Sequence, residues 1–167
     1  MNRLRTLLLA ASLLVPACAW ADPTVIFVSR HAEKGTNGND PDLTAQGQLR
    51  AHNLAATLRK AGITHIFSTD THRTRQTAQP LAGALGLPIQ SYDAKQPAAL
   101  VQQLKALGGI SLVIGHSNTV PGLVKALGGE PHGEIDEATE FDRLYEITLG
   151  DDGKVSTLML ASLPPRP

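Results

Sequence analysis

Residues 24–34 read TVIFVSRHAEK. The first five are β-branched or apolar, which predicts a short strand buried on both faces. An arginine, a histidine, a glutamate and a lysine follow at once, and packing alone does not call for such groups at the end of a core strand. By themselves, Arg30 and His31 fit a polar loop equally well. In open parallel α/β sheets, however, ligands bind beyond the carboxyl ends of the strands, so this stretch predicts a strand that leads into a binding site.

Strand patterns alternate with helical patterns along the rest of the chain. Further strands are predicted at residues 65–68, 89–92 and 110–114. One helix is predicted from an N-cap at Thr44 to a stop at Gly62 and another from Arg73 to about Leu85. A third has Pro97 in its first turn, and a fourth extends over residues 119–127. Residues 142–149 and 154–160 have strand character on either side of a Gly-Asp-Asp-Gly turn. This order predicts an α/β fold: a three-layer α/β/α sandwich with a mostly parallel sheet, helices on both faces and a C-terminal antiparallel hairpin. We expect residues 22–167 to form one domain.

The N-terminus has the pattern of a cleaved secretory signal. Residues 1–5 are basic, residues 6–15 are apolar, and Ala19-Trp20-Ala21 offers small residues at the positions that signal peptidase inspects. The apolar run is too short to span a bilayer as a helix. We therefore expect residues 1–21 to be removed and the mature protein to be secreted to the periplasm. Two alternatives stay open, a buried N-terminal helix and a lipoprotein anchored through Cys18.

Charge and cysteine content exclude several classes of function. The chain has 15 basic and 15 acidic side chains, and loss of the signal removes Arg3 and Arg5, so the mature net charge is near −2. This balance leaves no basic footprint for nucleic acid or for an anionic membrane. Cys18 is the only cysteine and lies inside the predicted signal. The mature chain therefore forms no disulfide and is compatible with an oxidising compartment without depending on one.

Three predicted strands end at, or just before, side chains that bind anions. The first ends at Arg30 and His31, the second leads within five residues to Arg73 at the start of a helix, and the fourth ends at His116 before another helix. We expect these groups to converge, because the carboxyl ends of parallel strands meet at one edge of a sheet. Arginine binds phosphate in a bidentate manner, and helix N-termini favour it. A small phosphorylated substrate or a phosphoprotein is the expected partner.

Four motifs, in this order, resemble those of the histidine phosphatase superfamily, which has the phosphoglycerate mutase-like fold. They are Arg-His-Ala-Glu at residues 30–33, Leu-Thr-x-x-Gly at 43–47, Arg-x-x-Gln-Thr-Ala at 73–78 and Gly-His-Ser at 115–117. The resemblance extends over nearly the whole predicted mature chain. It implies that His31 is the phosphorylated nucleophile and that Arg30, Arg73 and His116 form the phosphate pocket.

The chemistry of these side chains agrees with that role. A neutral imidazole is a competent nucleophile near pH 7, because its ordinary pKa is about 6.5. The other ring nitrogen of the nucleophile then has to donate to a fixed acceptor. Protein groups mainly position the reactants and neutralise the equatorial oxygens in phosphoryl transfer, which Arg30, Arg73 and a protonated His116 can do without a metal or a cofactor. Ser117 and Asn118 are further candidates for phosphate binding, from the start of their helix.

The proton donor for the leaving group is less clearly marked in the sequence. Asp93 is the first candidate, because it lies where the third predicted strand should end, near the same edge of the sheet. Glu33 is the second, being close to the nucleophile, and Glu137 or Glu140 can reach in from an acidic loop. A phosphoramidate or a phosphoanhydride has a good leaving group and needs no such acid.

These features predict a metal-independent phosphatase that hydrolyses phosphate esters or phosphoramidates through a phosphohistidine. Two alternatives within the same fold stay open, a non-catalytic phosphate-binding protein and a phosphomutase. The chain has little room for the insertions that close over the substrate in phosphate-shuttling relatives. A zinc hydrolase that uses the histidines as ligands is disfavoured, because two neighbouring arginines would repel the cation.

Overall fold

Ten helices and strands make up the part of the chain that the structure, a computed structural model, describes, which is residues 23–162. They are β1 (Thr24–Arg30), α1 (Ala45–Leu58), β2 (His65–Ser68), α2 (His72–Leu85), β3 (Ile89–Ser91), α3 (Pro97–Leu107), β4 (Ile110–Gly115), α4 (Val120–Ala126), β5 (Arg143–Leu149) and β6 (Val155–Ala161). The predicted signal, with Cys18, lies outside the described residues. None of the described helices is long and apolar enough to cross a membrane.

The strands form one mixed sheet in the order β3-β2-β4-β1-β5-β6. The four strands from β1 to β4 are parallel, whereas β5 runs antiparallel to β1 and β6 runs antiparallel to β5. The predicted parallel sheet and its C-terminal antiparallel hairpin are confirmed. The hairpin closes the side of the sheet that lies beyond β1, so β1 is a central strand with a neighbour on each side.

The helices cover the two faces of the sheet in pairs. On one face, α1 and α2 contribute Leu54 and Leu81 to a core that includes Ile66 of the sheet. On the other face, α3 and α4 contribute Leu104 and Val124 to a second core. Burial of apolar surface on both faces is what holds such a layered architecture together. The predicted three-layer α/β/α sandwich is therefore confirmed.

The register of the parallel strands determines where the polar residues meet. Arg30 at the end of β1 pairs with Gly115 at the end of β4, and the backbone N–H of His31 donates to the Gly115 carbonyl at 2.9 Å. His31 directly follows β1 and His116 directly follows β4, so the two histidines lie next to each other at this edge of the sheet. On the other side of β4, β2 ends at Ser68 at the same edge.

The end of α1 differs from the prediction. Its last helical residue is Leu58, and the N–H of Ala61 bonds to the Leu58 carbonyl at 2.9 Å. This hydrogen bond spans three residues and tightens the chain out of the α-helix. Gly62 follows with a φ of 76°, so the glycine serves the left-handed turn toward β2 rather than the end of the helix.

Candidate active site

The carboxyl edge of the sheet opens into a cavity of about 470 Å³. Its lining includes five of the side chains for which the sequence predicts a shared site, namely His31, Arg73, His116, Ser117 and Asn118. They come from the segments that follow β1, β2 and β4. Two further predicted residues lie outside this lining and are described below.

His31 is held as a neutral imidazole with one ring nitrogen fixed. The residue is 2% exposed, and its Nδ1 lies 2.8 Å from the carbonyl oxygen of Ala32. A carbonyl only accepts, so Nδ1 carries the hydrogen and Nε2 keeps the lone pair. Burial lowers the pKa of His31 to about 3, and the Arg30 cation adds to this effect. The ring is therefore in its nucleophilic form at neutral pH.

His116 lies against His31, with the two ring centroids 5.4 Å apart. Its Nε2 is 2.9 Å from Thr69 Oγ1, and the Thr69 hydroxyl donates to Thr74 Oγ1 at 3.0 Å. Thr69 therefore accepts from Nε2–H, which leaves the His116 Nδ1 with its lone pair. Burial lowers the pKa of His116 to about 4, helped by the Arg73 cation. In the free protein His116 is therefore neutral at neutral pH, because desolvation disfavours the charged ring; the protonated His116 predicted for phosphoryl transfer concerns the complex with the substrate.

Arg30 is buried and makes several hydrogen bonds within the protein. The residue is 1% exposed, and its Nη1 donates to the carbonyls of Asp136 at 3.1 Å and Glu140 at 2.9 Å. Its Nη2 donates to the carbonyl of Glu137 at 2.9 Å, and the guanidinium lies 4.0 Å from the ring centre of Phe141. Arg30 thus fastens the acidic loop to the edge of the sheet. Its Nε has no partner and its Nη2 makes a single hydrogen bond, so the Nε–Nη2 edge keeps two N–H groups for a ligand.

Arg73 lines the cavity and is held by Asp40, which lies outside the cavity lining. Its Nη1 donates to Asp40 Oδ1 at 2.9 Å, and the same carboxylate accepts from the backbone N–H of His72 at the start of α2. Among the described residues, three buried side-chain polar atoms have no hydrogen-bond partner: Arg30 Nε, Arg73 Nε and Ser111 Oγ. A buried donor without an acceptor costs free energy. Two such cationic donors around the same pair of imidazoles indicate a site for an anion.

Helix α2 supports the loop that carries His31. Thr77 Oγ1 accepts from the backbone N–H of Ala32 at 3.0 Å. Gln76 Oε1 accepts from the backbone N–H of Leu43 at 2.8 Å, while its Nε2 donates to Asp42 Oδ1 at 2.8 Å. The Gln-Thr pair of the third motif therefore holds the chain on both sides of the loop after β1, and does not contact the cavity itself.

Two motif glycines allow close approaches that a side chain would block. A Cβ on Gly47 would lie 2.1 Å from the Glu33 carbonyl oxygen, the same oxygen that accepts from the Thr44 backbone N–H at 2.9 Å. A Cβ on Gly115 would lie 2.9 Å from the Tyr92 hydroxyl. The first approach brings α1 against the loop that follows His31, and the second packs Tyr92 against the end of β4.

Asp93, the first candidate for the proton donor, lies in an adjoining cavity. That cavity shares His116 and Lys95 with the first one. The Asp93 side chain is exposed, and its carboxylate accepts from Gln96 Nε2 at 3.0 Å and from the Lys95 backbone N–H at 2.9 Å. The bond from Gln96 is the largest cause that lowers the pKa of Asp93. In the free protein the carboxylate is thus ionised and caps its own turn.

Two of the alternative acids are engaged in ion pairs away from the cavity. Glu33 Oε1 accepts from Arg50 Nη2 at 2.7 Å, and both Glu33 oxygens accept from Arg50 Nε. Glu140 pairs with Arg143. Neither carboxylate is part of the cavity lining. These two residues therefore stabilise the loops around the site.

Glu137 is the alternative that the structure places in the cavity. It lines the cavity with His31 and His116, and its Oε2 accepts from Ser117 Oγ at 3.0 Å. The sequence marked this residue only as part of an acidic loop without periodicity. The path of that loop is set by the three hydrogen bonds from Arg30 to its carbonyls, which no local pattern reveals.

Several residues of the site were not predicted. Thr69 orients His116, Asp40 anchors Arg73, and Phe141 stacks on Arg30. Thr69 directly follows β2, so the rule that strand ends converge at one edge applies to it as well. Asp40 lies in a Gly- and Asn-rich loop whose course depends on tertiary contacts. No group of three or more His, Cys, Asp or Glu side chains within residues 23–162 is arranged to hold a metal ion, so the zinc alternative has no ligand set in that part of the chain.

Fold and site together define a class of protein. It is an α/β sandwich in which a neutral histidine directly follows a parallel strand and lies near a second histidine and two arginines that each have an unpartnered, buried Nε atom. The comparison with protein families agrees: the model described as "Histidine phosphatase superfamily (branch 1)" matches residues 26–94. The matched segment contains the first three of the four motifs, so the comparison confirms the resemblance to this superfamily that they predict.

Curated relatives match the N-terminal part of the domain. The chain is 41% identical over 71 residues to "Probable phosphoglycerate mutase GpmB" of Yersinia enterocolitica, and 38% identical over 71 residues to the protein of the same name in Escherichia coli O1:K1. Each match covers 38% of this chain and 33% of the relative. The matched region thus spans about a third of the length of these relatives.

Solved structures match the fold over most of the chain. The protein histidine phosphatase SixA complexed with tungstate superposes with a TM-score of 0.64 and 22% identity, covering 84% of this chain and 97% of that one. A mycobacterial glucosyl-3-phosphoglycerate phosphatase superposes with a TM-score of 0.62 and 15% identity, covering 84% of this chain and 98% of that one. Phosphoglycerate mutase from Bacillus anthracis superposes with a TM-score of 0.62 and 14% identity, covering 84% of this chain and 93% of that one. At these identities the likeness establishes the fold alone.

Proposed function

We propose that this protein is a phosphatase that hydrolyses phosphate monoesters or phosphoramidates through a phosphohistidine on His31, without a metal ion. One observation carries the proposal: the neutral His31, with Nδ1 bound to the Ala32 carbonyl, lies within the electrostatic reach of Arg30 and Arg73, and the Nε atom of each arginine is buried without a partner. Attack at phosphorus requires a nitrogen lone pair and fixed cationic donors for the non-bridging oxygens. These residues supply both.

In the first step, the His31 Nε2 attacks phosphorus while the bond from phosphorus to the leaving group breaks. The Nε atoms of Arg30 and Arg73 donate to the non-bridging oxygens. A bound dianion also favours the protonated form of His116, because an opposite charge nearby raises the pKa of an imidazole. His116 then becomes a third donor, held in place by Thr69.

In the second step, water attacks the phosphohistidine and inorganic phosphate is released. The electron pair of the P–N bond returns to Nε2, which restores the neutral ring of His31. The hydrogen bond between Nδ1–H and the Ala32 carbonyl is present throughout, so the ring keeps its orientation and tautomer across both steps.

The leaving group decides how much acid catalysis is needed. For alkyl esters we propose Asp93 as the proton donor, which supposes that its carboxylate exchanges the bonds from Gln96 and Lys95 for the substrate. Hydrogen bonds at a catalytic site often form only in the substrate complex, and Asp93 lies close enough to share a cavity with His116. Phosphoramidates and aryl phosphates need little or no such help.

Hydrolysis of 4-nitrophenyl phosphate by histidine variants tests the proposal. We expect His31→Ala to abolish hydrolysis while the fold persists, as judged by circular dichroism. His52→Ala is the matched control, because His52 is exposed on α1, and it should leave the rate unchanged. Full activity of His31→Ala would overturn the proposal. Chelators should not affect the rate, and a loss that added zinc restores would support the zinc alternative.

A phosphomutase is the second candidate, favoured by the 41% identity over 71 residues to a protein named as a phosphoglycerate mutase. The two activities differ in the acceptor of the phosphoryl group. We expect labelled phosphate to be recovered as inorganic phosphate even when alcohol acceptors are present. Transfer of the label to an alcohol would support the mutase, and tight phosphate binding without turnover would support the non-catalytic alternative.

We further propose that residues 1–21 are a signal and that residues 22–167 are a single secreted domain. N-terminal sequencing of protein from a periplasmic fraction tests this, and the expected first residue is Asp22. Retention of Met1 in the cytoplasmic fraction would contradict it. A lipid on Cys18 would support the lipoprotein alternative instead.

A further inference from the structure

The acidic loop between α4 and β5 places one carboxylate in the cavity of the proposed nucleophile. Glu137 is the only Asp or Glu among the residues that line this cavity in the described part of the chain, and it does so together with His31 and His116. Its side chain is exposed, so it meets water as well as the imidazoles. A carboxylate in that position can accept a proton from a water molecule that enters the site.

Two hydrogen bonds fix the position of Glu137. Its backbone carbonyl accepts from Arg30 Nη2 at 2.9 Å, and its Oε2 accepts from Ser117 Oγ at 3.0 Å. Ser117 directly follows His116 and is 6% exposed, so it is itself held by the core. Glu137 is thus tied to the strand of the nucleophile through its backbone and to the strand of the second histidine through its side chain.

The charge state of Glu137 suits a proton acceptor. The hydrogen bond from Ser117 is the main reason why the pKa of Glu137 lies below its ordinary value, so the free protein holds a carboxylate there at neutral pH. A phosphoryl group on His31 adds negative charge to the same cavity, and a like charge raises the pKa of a carboxyl. Glu137 therefore becomes a stronger base in the phosphorylated protein, which is when a base is needed.

We propose that Glu137 is the general base of dephosphorylation, accepting a proton from the water that attacks the phosphohistidine of His31. The water oxygen bonds to phosphorus, the P–N bond breaks, and its electron pair returns to the His31 Nε2. The proton on Glu137 then passes to solvent. This inference rests on the proposed function, since without a phosphohistidine there is no such step.

Rapid-quench kinetics with 4-nitrophenyl phosphate separate the two steps. Release of 4-nitrophenolate needs no proton, so the initial burst reports phosphorylation, and the decay of isolated phosphoprotein reports dephosphorylation. Glu137→Gln keeps the size of the side chain and removes its basicity. We expect a burst rate like that of the wild type and a decay slowed by about 10²-fold, at the lower end of what a positioned acid or base contributes. Glu134→Gln, an exposed position in the same loop outside the cavity, should change neither step.

The pH dependence supplies a second readout. The decay rate of the wild type should fall on acidification as Glu137 takes up a proton, whereas the decay of Glu137→Gln should lose that dependence. An unchanged decay rate, or equal slowing of burst and decay, would overturn the role of Glu137 and leave the proposed function standing. Absence of any phosphoprotein in the wild type would overturn the proposed function, and this inference with it.

Discussion

The imidazole rings of His31 and His116 lie 5.4 Å apart, centroid to centroid, at an angle of 69°. Both rings are largely buried beside Arg30 and Arg73, so neither carries a charge in the free protein at neutral pH. The rings are nevertheless held by different acceptors. His31 donates from Nδ1 to a carbonyl and keeps the Nε2 lone pair, while His116 is bound through Nε2 to Thr69. The nitrogen that keeps its lone pair is thus Nε2 in His31, the proposed nucleophile, and Nδ1 in His116.

The neutral state of the two rings predicts how stability depends on pH. The pKa values of His31 and His116, about 3 and about 4, lie below the value of 6.5 that an unfolded imidazole has. The unfolded chain therefore binds more protons in this range, and the stability from the neutral rings is fully present above pH 6.5 and is lost as the pH falls. For His31 alone the loss at pH 5 is about 2 kcal/mol.

Urea unfolding at pH 7 and pH 5 measures this effect. We expect the fall in the free energy of unfolding between these values to be smaller in His31→Asn than in the wild type, by about 2 kcal/mol. His52→Asn on the exposed side of α1 is the control and should behave like the wild type. Identical pH dependence of all three proteins would contradict the buried, neutral state of His31.

Two arginines on the first turns of α2 form a matched pair for testing anion binding. Arg73 lines the cavity and pairs with Asp40, whereas Arg75 is 42% exposed and pairs with Asp70. We expect Arg73→Ala to lower kcat/KM for an aryl phosphate by roughly 10- to 100-fold, because hydrogen bonds to charged groups contribute about 1.5–3 kcal/mol. Arg75→Ala should have little effect. Equal losses in both variants would remove Arg73 from the phosphate site.

Asp40 should act through Arg73 rather than on the substrate. Asp40→Asn removes the charge that anchors the guanidinium but leaves the cavity lining in place. We expect a higher KM with a smaller change in kcat, measured by steady-state kinetics. A fall in kcat with an unchanged KM would mean that Asp40 has a part in the chemical step.

Gly47 and Gly83 are helical glycines with opposite surroundings. A Cβ on Gly47 would lie 2.1 Å from the Glu33 carbonyl oxygen, whereas a Cβ on Gly83 of α2 would meet nothing within 4 Å. Gly47→Ala should therefore lower the free energy of unfolding by about 1–3 kcal/mol, since the backbone has to shift. Gly83→Ala should raise it by roughly 0.5–1 kcal/mol, because alanine favours the helix. Thermal or urea unfolding of the two variants decides this, and a stabilising Gly47→Ala would contradict the close approach of α1.

The proposed role of Asp93 predicts a dependence on the leaving group. Asp93→Asn should slow the hydrolysis of an alkyl phosphate more than that of an aryl phosphate, because only the alkoxide needs a proton to leave. Parallel kinetics on the two esters measure the ratio. Equal effects would move the acid to another residue.

Much of the architecture could be predicted from local patterns. The apolar run before Arg30 marks a buried strand, and the Gly-Asp-Asp-Gly turn marks the hairpin of β5 and β6. The convergence of His31 and His116 follows from parallel pairing alone, since Arg30 and Gly115 are partners across β1 and β4. These features depend on periodicity and on a general rule of α/β sheets.

The parts that were missed depend on where loops go. The hydrogen bonds that Arg30 Nη1 and Nη2 donate to carbonyls of residues 136–140 were not predicted. The neutral state of His116 in the free protein was not predicted either, because it follows from the burial of the ring. The anchoring of Arg73 by Asp40 joins residues 33 positions apart. Such contacts arise only when the chain is folded, and a single sequence carries no local signal for them.

Direct detection of a phosphorylated imidazole tests the central claim most directly. The wild type, acid-quenched during turnover of 4-nitrophenyl phosphate or mixed with labelled acetyl phosphate, should be digested at once under alkaline conditions that preserve phosphohistidine. Mass spectrometry should then find one phosphoryl group, on His31, that is absent from His31→Ala and present in His52→Ala. Hydrolysis that proceeds with no phosphoryl group on His31, or with the group on another residue, would contradict the account.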